Sequence, residues 1–159
     1  MCGATLASLI LLAILGPVGR LGATLPGIGT GKACALEWLF SFALMFVIMA
    51  VATDERVPQG FAGIAVGLTV GFCALVGGPL TGASMNPARS FGPAAVGGLW
   101  TAHWVYWAAP MTGMLAAARA YERLRHAGQA GLPADAAPLG VEGPIGPLEA
   151  TFSGERTPC

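Results

Sequence analysis

The chain has 159 residues, of which 55% are hydrophobic and only 10% are charged. Typical soluble domains contain about 25% charged residues, so a soluble fold of this size would lack the polar groups that cover a water-exposed surface. The composition therefore favours a lipid bilayer as the surrounding medium. The eight basic and eight acidic residues cancel, which excludes the strong positive field expected of a nucleic-acid-binding protein.

Long uncharged stretches divide most of the chain into candidate membrane spans. Thirty-two uncharged residues lie between Arg56 and Arg89. A helix that crosses a bilayer needs about 20 predominantly apolar residues. The pattern predicts four spans, at residues 3–19, 34–53, 58–78 and 102–122.

The first of these stretches, 3–19, could also be read as a secretory signal peptide. However, no basic region precedes it, and the following residues GATLPGIGTG do not form a convincing cleavage site. We therefore predict a true membrane span, followed by a glycine-rich loop over residues 20–33.

The third predicted span has glycine at every fourth position, Gly63, Gly67 and Gly71. Glycines spaced in this way form a groove on one face of a helix, which allows another helix to approach closely. We therefore expect this span to pack within a bundle rather than to be surrounded by lipid.

Residues 79–101 fit neither a loop nor a span. They are too apolar for a water-facing loop and too often interrupted by glycine and proline for a complete membrane helix. Non-helical backbone at membrane depth occurs only where protein buries it or a water-filled cavity solvates it. We therefore expect the functional site in this segment.

A short helix should begin in the middle of this segment. Asn86 is a good N-cap, and Pro87 suits the first helical position. The helix should run about three turns and end near residues 97–98, with Pro93 distorting it. A helix of about 15 Å crosses half a membrane. Its partially positive amino terminus would then lie near the bilayer centre, as in many solute sites.

Asn86 and Arg89 are three residues apart and so lie on one face of this half-helix. Both side chains donate hydrogen bonds, an arrangement that suits a neutral solute and repels cations. On position alone, an interfacial Arg89 that reaches toward the headgroups fits about as well. An arginine in mid-membrane costs roughly 2.5–3.5 kcal/mol on insertion scales and usually faces an interior.

The remaining signals concern orientation, the tail and metals. Arg119, Arg123 and Arg125 follow the last span and predict that this end is cytoplasmic, and four spans place the amino terminus on the same side. Residues 126–159 are rich in glycine and proline and predict a disordered cytoplasmic tail, which leaves residues 1–125 as the membrane domain. The spacing of the cysteines and histidines predicts no metal site and no cofactor.

Residues 81–94, TGASMNPARSFGPA, closely resemble the second signature loop of the major intrinsic proteins, the aquaporin and glyceroporin family. The resemblance extends in register over about residues 3–124. LGATLP at 21–26 resembles the loop after the family's third span, especially in the nodulin-like intrinsic proteins. The resemblance implies an all-α, aquaporin-like membrane fold with four transmembrane helices and one re-entrant half-helix.

The resemblance also implies roles for individual residues. Asn86 would donate a hydrogen bond to the solute at the pore centre, with Pro87 and Ala88 setting the cap of the half-helix. Arg89 would be the arginine of the outer selectivity filter. Glu37 would accept backbone N–H groups from the loop before Asn86 and hold its carbonyls toward the pore.

Two further filter positions would be occupied by Ala83 and Ala74. Water-selective members of the family usually have histidine at the position of Ala74. Two small residues and one donor, Arg89, should leave an opening wide enough for glycerol, urea or metalloid hydroxides. The neighbouring Cys73 is better explained as a small packed residue.

The chain departs from the six spans and two half-helix loops of the family, because it lacks the first two spans and the first Asn-Pro-Ala loop. An unpartnered half-helix end leaves N–H groups unsatisfied in the bilayer, so we expect an incomplete six-span fold that is inactive alone. A truncated product, or a sequence starting at an internal methionine, is the favoured explanation. Half of a split channel with a partner chain and a stand-alone four-span protein are the alternatives.

The resemblance thus implies a passive channel of the cell membrane for water and small neutral solutes, forming a homo-tetramer when complete. The alternative is a non-conducting membrane interaction protein that assembles through Gly63, Gly67 and Gly71. We do not expect an enzyme, because the sequence has no nucleophile–base pair and Glu37 is the only acid within the spans.

Overall fold

The structure is a computed structural model that describes residues 1–53, 57–58 and 60–130. The predicted tail falls outside the described residues from position 131 onward. The described part of the chain is helical and contains no strand, which confirms the predicted all-α architecture with a short helix before the last long one. The helices are α1 (Cys2–Leu15), α2 (Thr30–Ala52), α3 (Phe61–Thr81), α4 (Pro87–Gly97) and α5 (Val105–Ala130).

Two of these helices, α2 and α3, are long and apolar enough to cross a membrane, by length and composition alone. Helix α1 is apolar but has only 14 residues. Helix α5 is the longest, but its last turns carry charged side chains such as Arg119 and Glu122. It continues through Ala130, beyond the boundary predicted at residue 125.

The first helix ends earlier than its hydropathy predicts. Gly16 adopts a φ of 69°, and the helix stops at Leu15. A left-handed turn, defined here as residues 19–22, then follows, and all four residues have positive φ. Two of them, Arg20 and Leu21, are not glycine, so this turn needs support from its surroundings.

The helices pack in two groups that meet at the candidate site. Helix α2 packs against α5 and α3, whereas α1 packs against α4. The contacts are close where glycine allows it. A Cβ at Gly113 of α5 would collide with the Trp38 carbonyl of α2, and one at Gly92 of α4 would collide with the Ala4 backbone of α1. A hydrophobic cluster fills the space between α2, α3 and the loop before α4, and comprises Phe40, Leu44, Cys73, Ala83 and Met85.

The glycine stripe of α3, defined as Gly63, Gly67 and Gly71, contacts none of these elements. Apart from the neighbouring backbone of α3 itself, nothing in the described part of the chain lies within 4 Å of a Cβ placed at any of the three positions. Close contact on α3 occurs instead at Gly77, whose Cβ would meet the ring of Phe40. The expected packing along the stripe is thus not formed within the described residues.

Candidate functional site

The site is built around the amino terminus of α4. Asn86 has an extended backbone, and its side-chain Oδ1 accepts hydrogen bonds from the backbone N of Ala88 (2.9 Å) and of Arg89 (3.4 Å). Pro87 occupies the first helical position, where a missing N–H is harmless. Because Oδ1 serves the cap, the two amide hydrogens on Nδ2 are the part of Asn86 that is left for a solute.

The loop before Asn86 has an unusual backbone. Ala83 has a φ of 43° and Met85 a φ of 50°, and each costs roughly 1–2 kcal/mol because the Cβ of an L-residue crowds the following carbonyl oxygen. Both side chains are nevertheless buried in the hydrophobic cluster. A conformation of this kind persists only where the surrounding structure holds it.

Glu37 of α2 supplies much of that support. This side chain is fully buried, and its two carboxylate oxygens accept hydrogen bonds from the backbone N of Ser84 and of Met85, each at 2.9 Å. Oε1 also accepts from Thr81 Oγ1 at 2.7 Å. Three donors compensate a carboxylate that would otherwise be very costly to bury.

Helix α5 contacts the residue at which this loop begins, Thr81 at the end of α3. The hydroxyl of Tyr106, which is fully buried, donates to the carbonyl of Thr81 at 2.7 Å. The Thr81 hydroxyl in turn accepts from the backbone N of Ala83 at 3.1 Å. Sequence analysis missed Tyr106 and Thr81 as supporting residues, because neither has a local pattern that marks such a contact.

Arg89 projects from the first turn of α4, three residues after Asn86. Its Nη1 donates to the carbonyl of Gly22 at 2.9 Å, and Gly22 closes the left-handed turn (residues 19–22). The guanidinium is therefore tied to the connection between α1 and α2. Both Asn86 and Arg89 are exposed within the described chain, so their free donors face an open space.

A cavity of about 510 Å³ lies against these two residues. Three of its lining residues are polar, namely Asn86, Arg89 and Ser84. Apolar side chains from α2, α3, the loop and α5 also line it, namely Leu44, Val70, Met85 and Met114. A lining that combines a few hydrogen-bonding groups with apolar side chains suits a small solute with both polar and apolar parts.

The structure brings only part of the predicted site together at this cavity. Asn86, Pro87 and Arg89 line it, and Ala88 lies beside them in the first turn of α4. Ala83 is buried in the hydrophobic cluster, and Ala74 is exposed on α3. Neither alanine lines the cavity.

Two of the missed lining residues had a usable signal. Val70 lies one helical turn before Ala74, and Leu44 lies two turns after Glu37, so each shares a helix face with a predicted site residue. Met114 had none. Among the described residues, no group of three His, Cys, Asp or Glu side chains could hold a metal ion.

Comparison with known proteins identifies one matching family and several similar proteins. The family model described as "Major intrinsic protein" matches residues 1–121. The chain is 49% identical over 131 residues to Aquaporin NIP1-2 of Oryza sativa subsp. japonica, covering 77% of this chain and 43% of that protein.

Two further relatives have a similar sequence identity to the chain. The chain is 49% identical over 133 residues to Probable aquaporin AqpM of Archaeoglobus fulgidus, covering 77% of this chain and 54% of the relative. It is 48% identical over 115 residues to Aquaporin NIP6-1 of Arabidopsis thaliana, with coverage of 72% and 38%. The chain thus spans about half the length of the curated relatives it matches.

Proposed function

The chain belongs to the major intrinsic protein family, with NIP-type aquaporins among its relatives, and on this basis we propose that it forms part of a passive transmembrane channel for water and small neutral solutes. The observation that supports this most directly is the cavity at the start of α4. There, Asn86 and Arg89 line the same cavity as several apolar side chains.

The chemistry of the cavity favours neutral solutes. Asn86 offers amide hydrogens, Arg89 offers guanidinium hydrogens and a permanent charge, and both lie at the positive end of α4. Hydroxyl or carbonyl oxygens of a solute can accept from these donors, whereas cations are repelled. Helix α4 has 11 residues and is about 16 Å long, which is half the thickness of a bilayer core.

We propose that the filter admits glycerol, urea or metalloid hydroxides as well as water. The support is the resemblance to the family, which assigns the small residues Ala74 and Ala83 to filter positions beside Arg89; within the described residues neither alanine lines the cavity. The apolar residues that line the cavity give the carbon backbone of a polyol a favourable surface.

The open side of the cavity motivates a proposal about assembly. Asn86 and Arg89 are exposed within the described residues, so a further surface has to cover them before a pore can exclude lipid. We propose that a first half-channel with its own Asn-Pro-Ala loop covers them, that the unit does not conduct without it, and that complete channels form homo-tetramers. The arginines in the last turns of α5, Arg119, Arg123 and Arg125, support a cell-membrane orientation with both termini cytoplasmic.

Asn86→Asp tests the channel function. Aspartate retains the oxygen that caps α4 but lacks the amide donors and adds negative charge. The chain is reconstituted in liposomes, alone and with a polypeptide that carries the first two spans and first Asn-Pro-Ala loop of the family, and glycerol and water fluxes are followed by stopped-flow light scattering. We expect flux only in the combined sample and about a tenfold loss of glycerol flux in the variant.

The same samples distinguish the second candidate function, a non-conducting membrane interaction protein. The exposed glycine stripe of α3 favours this candidate, because such stripes accept another helix. A stable complex between the two polypeptides, with glycerol and water fluxes at the level of empty liposomes, would support it and contradict the channel. An unchanged melting temperature of Asn86→Asp is the control for intact folding.

A further inference from the structure

The connection between α1 and α2 lies directly against the end of α3 and the loop before Asn86. Thr24 is almost completely buried, and a Cβ at Gly82 would lie only 2.9 Å from its Cα. The backbone N of Gly27 donates to the carbonyl of Leu80 at 2.8 Å. This connection is thus closely packed against the end of α3 and the residue that follows it, although sequence composition predicts an ordinary glycine-rich loop.

A chain of buried hydroxyls leads from this connection to Asn86. Thr24 Oγ1 donates to Ser90 Oγ at 2.7 Å, the hydroxyls of Ser90 and Ser84 are hydrogen-bonded to each other, and Ser84 Oγ donates to the Asn86 carbonyl at 2.9 Å. Each hydroxyl has one hydrogen. Since Ser84 uses its hydrogen on Asn86 and Thr24 uses its own on Ser90, Ser90 must donate to Ser84.

This direction leaves Ser84 saturated. Its oxygen accepts from Ser90 and also from the backbone N of Asn86 at 3.3 Å, and its hydrogen is used on the Asn86 carbonyl. No capacity remains for a substitute partner. Removal of the Thr24 hydroxyl would leave the buried Ser90 oxygen without its donor, which costs more than the average hydrogen bond contributes.

The same connection also holds the second polar residue of the cavity. Gly22, two residues before Thr24, accepts the hydrogen bond from Arg89 Nη1. One short segment therefore contacts Arg89 directly and Asn86 through three hydroxyls. The relative position of the Asn86 and Arg89 donors therefore depends on the position of this segment.

We propose that Thr24 is a positioning residue for solute selectivity, which sets the spacing of the Asn86 and Arg89 donors through Ser90 and Ser84. This inference rests on the proposed channel function. A polyol has to reach both donors at once, whereas water binds them one at a time, so a loosened spacing should impair glycerol more than water.

Thr24→Val removes the hydroxyl with little change of shape, Thr24→Ser restores it, and Thr112→Val makes the same change on α5, where Thr112 only bonds its own helix. Glycerol and water fluxes are measured in the combined liposomes described above. We expect the ratio of glycerol to water flux to fall about fivefold in Thr24→Val, and to be unchanged in the other two variants. Equal loss of both fluxes, or no change of the ratio, would overturn the proposal.

Hydrogen exchange of residues 82–91 is measured on the same variants and does not depend on conduction. If the wild-type protein conducts neither solute, the channel function fails while the positioning is still tested. Exchange about fivefold faster in Thr24→Val than in Thr112→Val supports the coupling. Equal exchange in the two variants overturns it.

Discussion

Glycines within the helices of this chain differ in whether another helix packs against them. On α3, the stripe of Gly63, Gly67 and Gly71 follows the spacing associated with helix contact, yet it faces open space in the described residues. On α4 and α5, Gly92 and Gly113 stand alone, without a glycine four residues away, and each lies against the backbone of another helix. Spacing thus indicates a groove, but only the neighbouring helix decides whether the groove is filled.

The largest effect is expected for Gly92→Ala. A Cβ there would collide with the carbonyl group of Ala4 and lie 2.9 Å from Ser8 Oγ. Backbone cannot move aside like a side chain, so α1 has to shift away from α4. We expect a loss of about 1–3 kcal/mol in the free energy of unfolding, measured by denaturant titration in detergent micelles. Unchanged stability would mean that α1 and α4 are not in close contact.

Gly113→Ala should rank second. Here the added Cβ would meet one backbone group, the Trp38 carbonyl of α2, and the extensive contact between α2 and α5 can distribute a small shift. The expected loss is about 1–2 kcal/mol in the same titration. Gly128→Ala, near the end of α5 with nothing around it, is the matched control and should not be destabilised.

Gly77→Ala should have a smaller and repairable effect. Its Cβ would meet the ring of Phe40 and lie 3.2 Å from the Cβ of Ala83, so a side chain rather than backbone has to yield. We expect a loss of about 1 kcal/mol in the free energy of unfolding. Phe40→Leu in the same chain should recover part of this loss. Strict additivity of the two substitutions would contradict the contact.

The smallest effect, and one of opposite sign, is expected for Gly67→Ala. Alanine is the better helix former by roughly 0.5–1 kcal/mol, and nothing in the described chain opposes the added methyl group. The isolated protein should therefore become slightly more stable. Weaker binding of the first-half polypeptide by Gly67→Ala would identify the stripe as an interface, whereas unchanged binding would argue against that use.

Local signals predicted the half-helix almost to the residue. Asn86 and Pro87 specify its start, and Gly98 ends it with a φ of 68°, because caps depend on neighbours in the sequence. The first helix was predicted too long, since hydropathy does not register the positive φ of Gly16. Spacing alone could not show that the glycine stripe is open.

The site was also predictable only in part, because spacing along the sequence does not show which distant residues come into contact. Asn86 and Arg89 share a helix face, which their spacing of three residues predicts. The hydrogen bonds that hold them come from distant parts of the chain, and no spacing rule identifies Gly22 or Thr24 as their partners. The wall of the cavity likewise combines α2, α3 and α5, so its members appear only when the helices are packed.

These distant contacts have a consequence for the order of folding. The hydrogen bond between Thr24 and Ser90 joins residues 66 positions apart, and the one between Arg89 and Gly22 joins residues 67 positions apart. Contacts of such separation require closure of a large loop before they stabilise anything. The strained turn before Asn86 should therefore be among the last parts to form during biogenesis, after α1 and α2 have already been inserted.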